Sequence, residues 1–411
     1  MNLRKLVRRA AATLFDIVVE VPPLDKPVPG LVCLRWTLPR PLPGGHLELE
    51  VPGGPKGRVP LPSDAASGAV SLHGHLLPDG RHRLVIRAID VTGRKAGEAN
   101  REIAVANPGA LGDAVRSSLV RNATPFAVNE CGSSHYDYAD DSLVAWFDRP
   151  DADETITEWQ RAGAIGSDEA GVLRQFVTQG YLVLAGGIER ELVDAANVDI
   201  DHAIERKWQG YEWGSSQRIE HLHMHYDAVR RIWLHPRVLR TLALLFQARP
   251  MPCQTLTFVF GSQQDAHQDT VHLTPFPAGY MCGVWVALED VQPDSGELVV
   301  FPGSHRLERV RMAEVGCPKV ENDWTHFGGT VAARWRQMVS DGGFEPLTYR
   351  PKAGDVLIWH ENLMHRGSVR IDKSLSRRSV VSHSFAEGSI AYYDSTGKPG
   401  HMEPLPSDIL R

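Results

Sequence analysis

The chain has few cysteines and no long apolar run, and its charges give no strongly basic field. Its 411 residues hold five Cys, namely Cys33, Cys131, Cys253, Cys282 and Cys317. They are odd in number, scattered and in no CxxC pair, which argues against both a disulfide framework and a zinc clip and fits a reducing, cytoplasmic compartment. No stretch approaches the roughly 18 apolar residues that span a bilayer. A net charge of -6 with a pI of about 6.3 offers nothing to a polyanion, so nucleic acid is not an expected partner. What is present is enough apolar content, 42%, to bury at least one large core, and two domains are expected.

Taken in order, the chain opens with a basic amphipathic stretch. Over residues 1–15, Leu3, Leu6, Val7, Ala10 and Leu14 share a helical face, with Arg4, Lys5, Arg8 and Arg9 largely on another. Such a helix makes at most a weak contact with an anionic membrane surface, and docking on its own domain is the alternative. Residues 16–107 change to short β-like runs, at 16–21, 31–38, 46–51, 70–77, 82–90 and 101–105, separated by Gly and Pro. This spacing predicts a small β-sandwich. The alternation Arg83-Leu84-Val85-Ile86-Arg87-Ala88-Ile89-Asp90 resembles a late strand of immunoglobulin-like or fibronectin-like modules. No acid/base pair or ligand set occurs there, so an accessory role is expected. Residues 108–165 read as a linker or flap, with an aromatic-acidic cluster from Tyr136 to Phe147. Helical spacing follows at 168–179, 189–207 and 226–246, the last interrupted at Pro236.

One stretch offers chemistry. In His267-Gln268-Asp269 the imidazole and the carboxylate lie two residues apart, on one face of an extended strand. A histidine from a distant strand would complete two histidines and one carboxylate, the facial set of non-haem Fe(II) oxygenases. His365, after the apolar run Val356-Leu357-Ile358-Trp359, is the candidate. His360 reads as a strand-end group, His272 as a cavity-rim contact on the other face and His305 as part of a turn.

Four blocks carry a family resemblance. They are His267-Gln268-Asp269, Trp285 to Asp290, Gly296 to His305, and Gly354 through His365 to Arg378, with Phe176 to Leu184 upstream. In order and spacing they resemble the phytanoyl-CoA dioxygenase family of Fe(II)/2-oxoglutarate oxygenases, from about residue 165 to 390. The resemblance implies a mainly β fold with flanking helices. A double-stranded β-helix (jelly roll, cupin-like) catalytic domain over 166–411 would follow the small β-sandwich. It implies His267, Asp269 and His365 as ligands of Fe(II), 2-oxoglutarate as cosubstrate and dioxygen as oxidant. The reaction would be hydroxylation of an unactivated C–H with release of succinate and CO2. Of the neighbours Arg377 and Arg378, only one can enter the barrel, and the family register points to Arg378 for the distal carboxylate of 2-oxoglutarate. Trp285 would flank the cosubstrate, and Ser368 stands one residue late for the family's serine. Asp269 argues against a halogenase, in which that carboxylate gives way to a small residue. A non-catalytic binding protein and a metal-dependent hydrolase are the alternatives. The substrate would be a small molecule, lipid or glycan precursor, and the insertion at 307–350 would select it.

Overall fold

A computed structural model describes residues 15–405, so the expected N-terminal helix lies outside the described residues except for Phe15. That residue sits in a short strand parallel to Gly97 and Glu98. The chain divides into two compact units, one of residues 1–108 with 119–131, the other of residues 109–118 with 132–411.

The first unit holds two sheets. One orders Phe15–Asp16, Lys95–Val105, Gly80–Ile89, His46–Glu50 and Lys56–Pro60; the other orders Val18–Glu20, Leu31–Thr37, Ser67–His73 and Ala127–Val128. Alternation builds the core. Leu84, Ile86 and Ala88 are fully buried and join Leu34, Trp36, Leu47 and Leu72 in one apolar cluster, while Arg83 and Arg87 remain outside it. Two strands escaped the sequence reading. Lys56–Pro60 is a charged sheet edge, which lacks the apolar signal of a central strand, and Ala127–Val128 pairs with Ser71 and Leu72 from beyond the expected boundary.

Residues 108–165 are not a bare linker. They form helices Gly109–Arg121 and Ala152–Arg161 with several single turns between them. In the second unit, Tyr136 stacks on Phe276 at 4.7 Å, the Tyr138 hydroxyl lies 2.7 Å from that of Tyr392, and Trp146 Nε1 donates to the Leu245 carbonyl at 2.8 Å. Tyr136, Trp146 and Phe147 are buried and Tyr138 is partly so, and none of residues 130–150 lines the cavity described below.

The second unit is mainly β with helices on one side. Six antiparallel strands run in the order Tyr181–Leu184, Val356–His360, Met281–Ala287, Ser379–Ala386, Pro250–Phe258 and Ile219–Glu220. On one face, Val284, Val286, Ile358 and Val380 pack with Leu173, Val193 and Leu242 of helices Ser167–Gln179, Arg190–Glu205 and Pro236–Phe246. Proline at the first turn starts the last of these, because its missing N–H is no loss there. On the other face, Trp285, Leu357, Trp359 and Val381 meet Leu298 and Val300, which belong to a smaller sheet of Leu347–Tyr349, Leu298–Val300 and His365–Gly367. Burial on both faces explains why Met281–Ala287 and Val356–His360 read as continuous apolar runs. The insertion carries helices Thr325–Gly329 and Val331–Asp341 over a cluster of its own. Among the described residues no helix is long and apolar enough to cross a membrane.

Candidate metal centre

His267 and His365 are brought together by backbone pairing. Each N–H donates to the other residue's carbonyl, at 3.0 and 3.1 Å, and the two rings lie 4.3 Å apart. Gln268 is extended, so Asp269 returns to the face of His267 before the chain turns into Asp269–Val271. Asp269 Oδ1 lies 3.7 Å from His267 Nε2 and 3.8 Å from His365 Nε2, less than twice a typical metal–ligand distance of about 2.1 Å. Donor atoms of all three residues lie within 4.8 Å of one another, and this is the one such set found among the described residues.

The surroundings fix the protonation each ligand needs. His267 Nδ1 lies 2.8 Å from the Asp265 carbonyl and His365 Nδ1 lies 3.0 Å from that of Leu363. A carbonyl only accepts, so both Nδ1 atoms carry the proton and both Nε2 lone pairs face the centre. Burial, with the neighbouring His365, pushes His267 down to about 3, which keeps its ring neutral. Burial opposes charge on Asp269 too, but the imidazoles around it, His365 first, outweigh that and hold the carboxyl well below its usual range. Two further residues grip the other carboxylate oxygen. Trp359 Nε1 donates to Asp269 Oδ2 at 2.8 Å, and His383 Nε2 stands 3.5 Å from it, with its Nδ1 3.2 Å from Gln254 Nε2.

Gly283 makes room for this support. It pairs with Trp359 on one neighbouring strand and with His383 on the other, and a Cβ there would run into the Trp359 indole. Sequence reading missed Trp359, His383, Gln254 and Gly283. The usable signal was parity, since Trp285, Leu357, Trp359, Val381 and His383 all fall on the inward face.

The same parity corrects the arginine. Counting by twos from Phe385 passes His383, Val381 and Ser379 and arrives at Arg377, not Arg378. Arg377 is 2% exposed. Its guanidinium carbon lies 5.4 Å from the Trp285 ring centroid and 5.9 Å from that of Phe258, and its Nε has no hydrogen-bond partner. Burial lowers its pKa to about 10. Arg378 faces the helices and bonds Asp201 at 2.7 Å and Asn197 at 3.3 Å. Trp285, 2% exposed, lines the cavity with Arg377 and the triad, whereas Ser368 does not; the Ser368 N–H is spent on the Glu297 carbonyl at 2.8 Å.

That cavity measures about 610 Å³, the size of a small-molecule site. His272 lines it, held 3.3 Å from the Ser395 hydroxyl and lowered to about 4 by burial. His360 and His305 do not reach it. His360 is buried 3.3 Å from Asp148, and His305 lies 3.3 Å from the Val177 carbonyl.

Two neutral imidazoles and one carboxylate suit a divalent iron better than a soft or structural metal, because they leave it both charged and open to further ligands. The buried guanidinium beside them, whose Nε has no hydrogen-bond partner among the described residues, calls for an anion. The donor set therefore fits Fe(II), and its surroundings fit an acidic coligand.

Several known proteins are similar to this chain. A mouse protein named Phytanoyl-CoA dioxygenase domain-containing protein 1 is 31% identical over 198 residues, which cover 47% of this chain and 63% of that one. A Bos taurus protein named Phytanoyl-CoA dioxygenase, peroxisomal, is 29% identical over 153 residues, covering 36% of this chain and 42% of its own. Matches to the mouse, rat and zebrafish relatives span 56–63% of those proteins' lengths. Among solved structures, a non-heme alpha ketoglutarate dependent carbocyclase from nogalamycin biosynthesis is 19% identical with a TM-score of 0.47, over 60% of this chain and 96% of that one. EctD from S. alaskensis, solved with 2-oxoglutarate and 5-hydroxyectoine, is 16% identical with a TM-score of 0.42, over 59% and 86%. Residues 176–378, just under half of the chain, match the family described as Phytanoyl-CoA dioxygenase (PhyH).

Proposed function

We propose that the chain is an Fe(II)- and 2-oxoglutarate-dependent oxygenase that hydroxylates an unactivated C–H of a small-molecule, lipid or glycan-precursor substrate and releases succinate and CO2. The observation that carries this reading is the presence in one cavity of the His267–Asp269–His365 set and the buried Arg377, whose Nε has no hydrogen-bond partner among the described residues. Iron held there would supply activation of dioxygen at the expense of the 2-oxo acid.

The chain's own residues do the positioning. His267 and His365 present Nε2 because backbone carbonyls hold their Nδ1 protons. Trp359 and His383 hold Asp269 so that one oxygen points at the imidazoles, and such support is worth about 10–100-fold in metal affinity. The Arg377 fork would give two parallel charge-assisted hydrogen bonds to the distal carboxylate of 2-oxoglutarate, with Trp285 closing one side. Asp269 and His365 are each 7% exposed, so bound substrate and cosubstrate would complete the exclusion of water from the reacting groups.

The two inner-facing sheets of the second unit support a jelly-roll reading, and the two sheets of the first unit support a β-sandwich with an accessory role. A metal-dependent hydrolase would leave Arg377 without a task. Anaerobic titration of the full chain with Fe(II) and then 2-oxoglutarate, followed by visible spectroscopy and succinate detection, tests the proposal. A charge-transfer band that appears only with both, together with succinate in air, is expected; metal binding with neither signal would overturn it.

A further inference from the structure

Beyond the metal, one wall of the cavity is built from rings. Trp324, Phe327 and Trp335 come from the two helices of the insertion and their approach, and His272 faces them from the other side. Phe327 lies 5.2 Å from Trp324, 5.6 Å from Trp335 and 5.4 Å from His272, centroid to centroid. Trp335 continues the row to His267 at 6.1 Å. The row therefore runs from a half-open Trp324, 47% exposed, to a ligand of the metal.

It is held rigid from behind. The Gln268 side-chain carbonyl accepts from Trp335 Nε1 at 3.0 Å and from the Val310 N–H at 3.2 Å. The middle residue of the metal motif thus fixes the ring wall to the centre it serves. Trp324 has no such internal role, and an exposed tryptophan at a cavity mouth is a ready contact for a ligand ring.

Charge at the mouth is mainly positive, three arginines against one aspartate. Leaving aside Asp269 and Arg377, the charged cavity-lining side chains are Arg218, Arg336, Arg366 and Asp265. Arg218 is paired with Glu220 at 2.9 Å. Among the described residues the Arg336 guanidinium bonds a backbone carbonyl, that of Gly328, at 3.2 Å, and no carboxylate, and Arg366 is exposed on the strand next to His365.

We infer that the insertion is a recognition wall for an anionic substrate with a flat, ring-bearing body. The rings lie along Trp324, Phe327 and Trp335, and a carboxylate or phosphate meets Arg336 and Arg366 at the mouth. This rests on the oxygenase reading for what happens to the ligand, and on the ring wall and the arginines for its chemistry.

The test is binding, read by tryptophan fluorescence and calorimetry on the full chain with Fe(II) and excess 2-oxoglutarate under anaerobic conditions, so that Arg377 is already engaged. The probes are 2-naphthoate, 2-naphthamide, 2-naphthyl phosphate and octanoate. Saturable binding of 2-naphthoate or the phosphate below roughly millimolar, tighter than octanoate and 2-naphthamide, is expected; the two anions compared show which head group is preferred. Trp324→Ala weakens the ring anions roughly threefold to tenfold, the range of an aromatic contact, and leaves octanoate unchanged. Arg336→Gln with Arg366→Gln weakens them by about fivefold at low salt and less at high salt, and leaves 2-naphthamide unchanged. No saturation by either ring anion, equal binding of octanoate or the amide, or indifference to Trp324→Ala overturns the inference. Succinate release by the wild-type chain is scored separately. Ring-anion binding without succinate removes the oxygenase reading and keeps the wall, and succinate without ring-anion binding does the reverse.

Discussion

Replacing Arg377 should move two measurements in opposite directions. The guanidinium is buried, and among the described residues no carboxylate forms an ion pair with it and its Nε has no hydrogen-bond partner. In the chain without cosubstrate it is a desolvated cation held at a cost, which the downward displacement to about 10 reflects. Arg377→Met keeps most of the volume and removes the charge, so the melting temperature of the cosubstrate-free chain should hold or rise. Pairing with 2-oxoglutarate would reverse the sign. Truncating one member of a buried charge pair costs roughly 2 to 5 kcal/mol, so the apparent 2-oxoglutarate constant should rise about 30-fold or more, at about 1.4 kcal/mol per decade. Thermal stabilisation of the wild-type chain by 2-oxoglutarate should vanish in the variant, since that gain follows the affinity. Arg378→Met is the control. Its partner Asp201 is half exposed, so the loss is an exposed ion pair of about 0.2–1 kcal/mol in stability, with no change in cosubstrate affinity. Succinate formation at saturating Fe(II), with melting curves with and without 2-oxoglutarate, reads all four quantities. If Arg378→Met carries the affinity loss, or if Arg377→Met melts lower without cosubstrate and binds it normally, the reasoning fails.

Other perturbations test other links. Asp269→Ala and His365→Ala should each abolish Fe(II) binding in an equilibrium titration while the far-ultraviolet spectrum is kept. Trp359→Phe frees Asp269 Oδ2 from a 2.8 Å bond and should weaken metal binding about 10–100-fold, and Gly283→Ala, by displacing the same indole, should do likewise. Asp148 is held below the usual carboxylate range: burial opposes this, but His360 and then Arg309 outweigh it. Its contribution is thus complete above an unfolded pKa of about 3.9 and lost as pH falls below that. Asp148→Asn should cost roughly 3 kcal/mol at neutral pH and flatten acid unfolding, measured by urea melts from pH 3 to 7. His223, lowered to about 4 by burial, has the opposite sense, since the unfolded chain takes up its proton first. It should subtract stability as pH falls from about 6.5 toward 4, and His223→Gln should remove that slope. Phe126→Ala should destabilise the first unit by roughly 3 kcal/mol, seen as faster amide exchange in Leu31–Thr37 and Ser67–His73, because Phe126 is buried in that unit's core.

The sequence by itself pointed to the candidate set His267, Asp269 and His365, which the structure brings together, and to most strands and the main helices. Ligand identity is chemical, and two residues apart on an extended segment is a geometric statement that needs no fold. Helices at 167–179 and 190–205 were legible for the same reason, because one buried face imposes a period near 3.6. Tertiary structure decided what depends on a partner. Strand parity is fixed only once a face is known to be inside, so the choice between Arg377 and Arg378 was open to a one-residue error that reverses every side chain. Trp359 and His383 reach Asp269 because their strands flank Gly283, a juxtaposition no local pattern announces. Residues 119–131 joined the first unit because a two-residue strand found a sheet edge, and Tyr136, Trp146 and Phe147 became core because other residues cover them. Local spacing states which face a side chain takes; only packing states what that face meets.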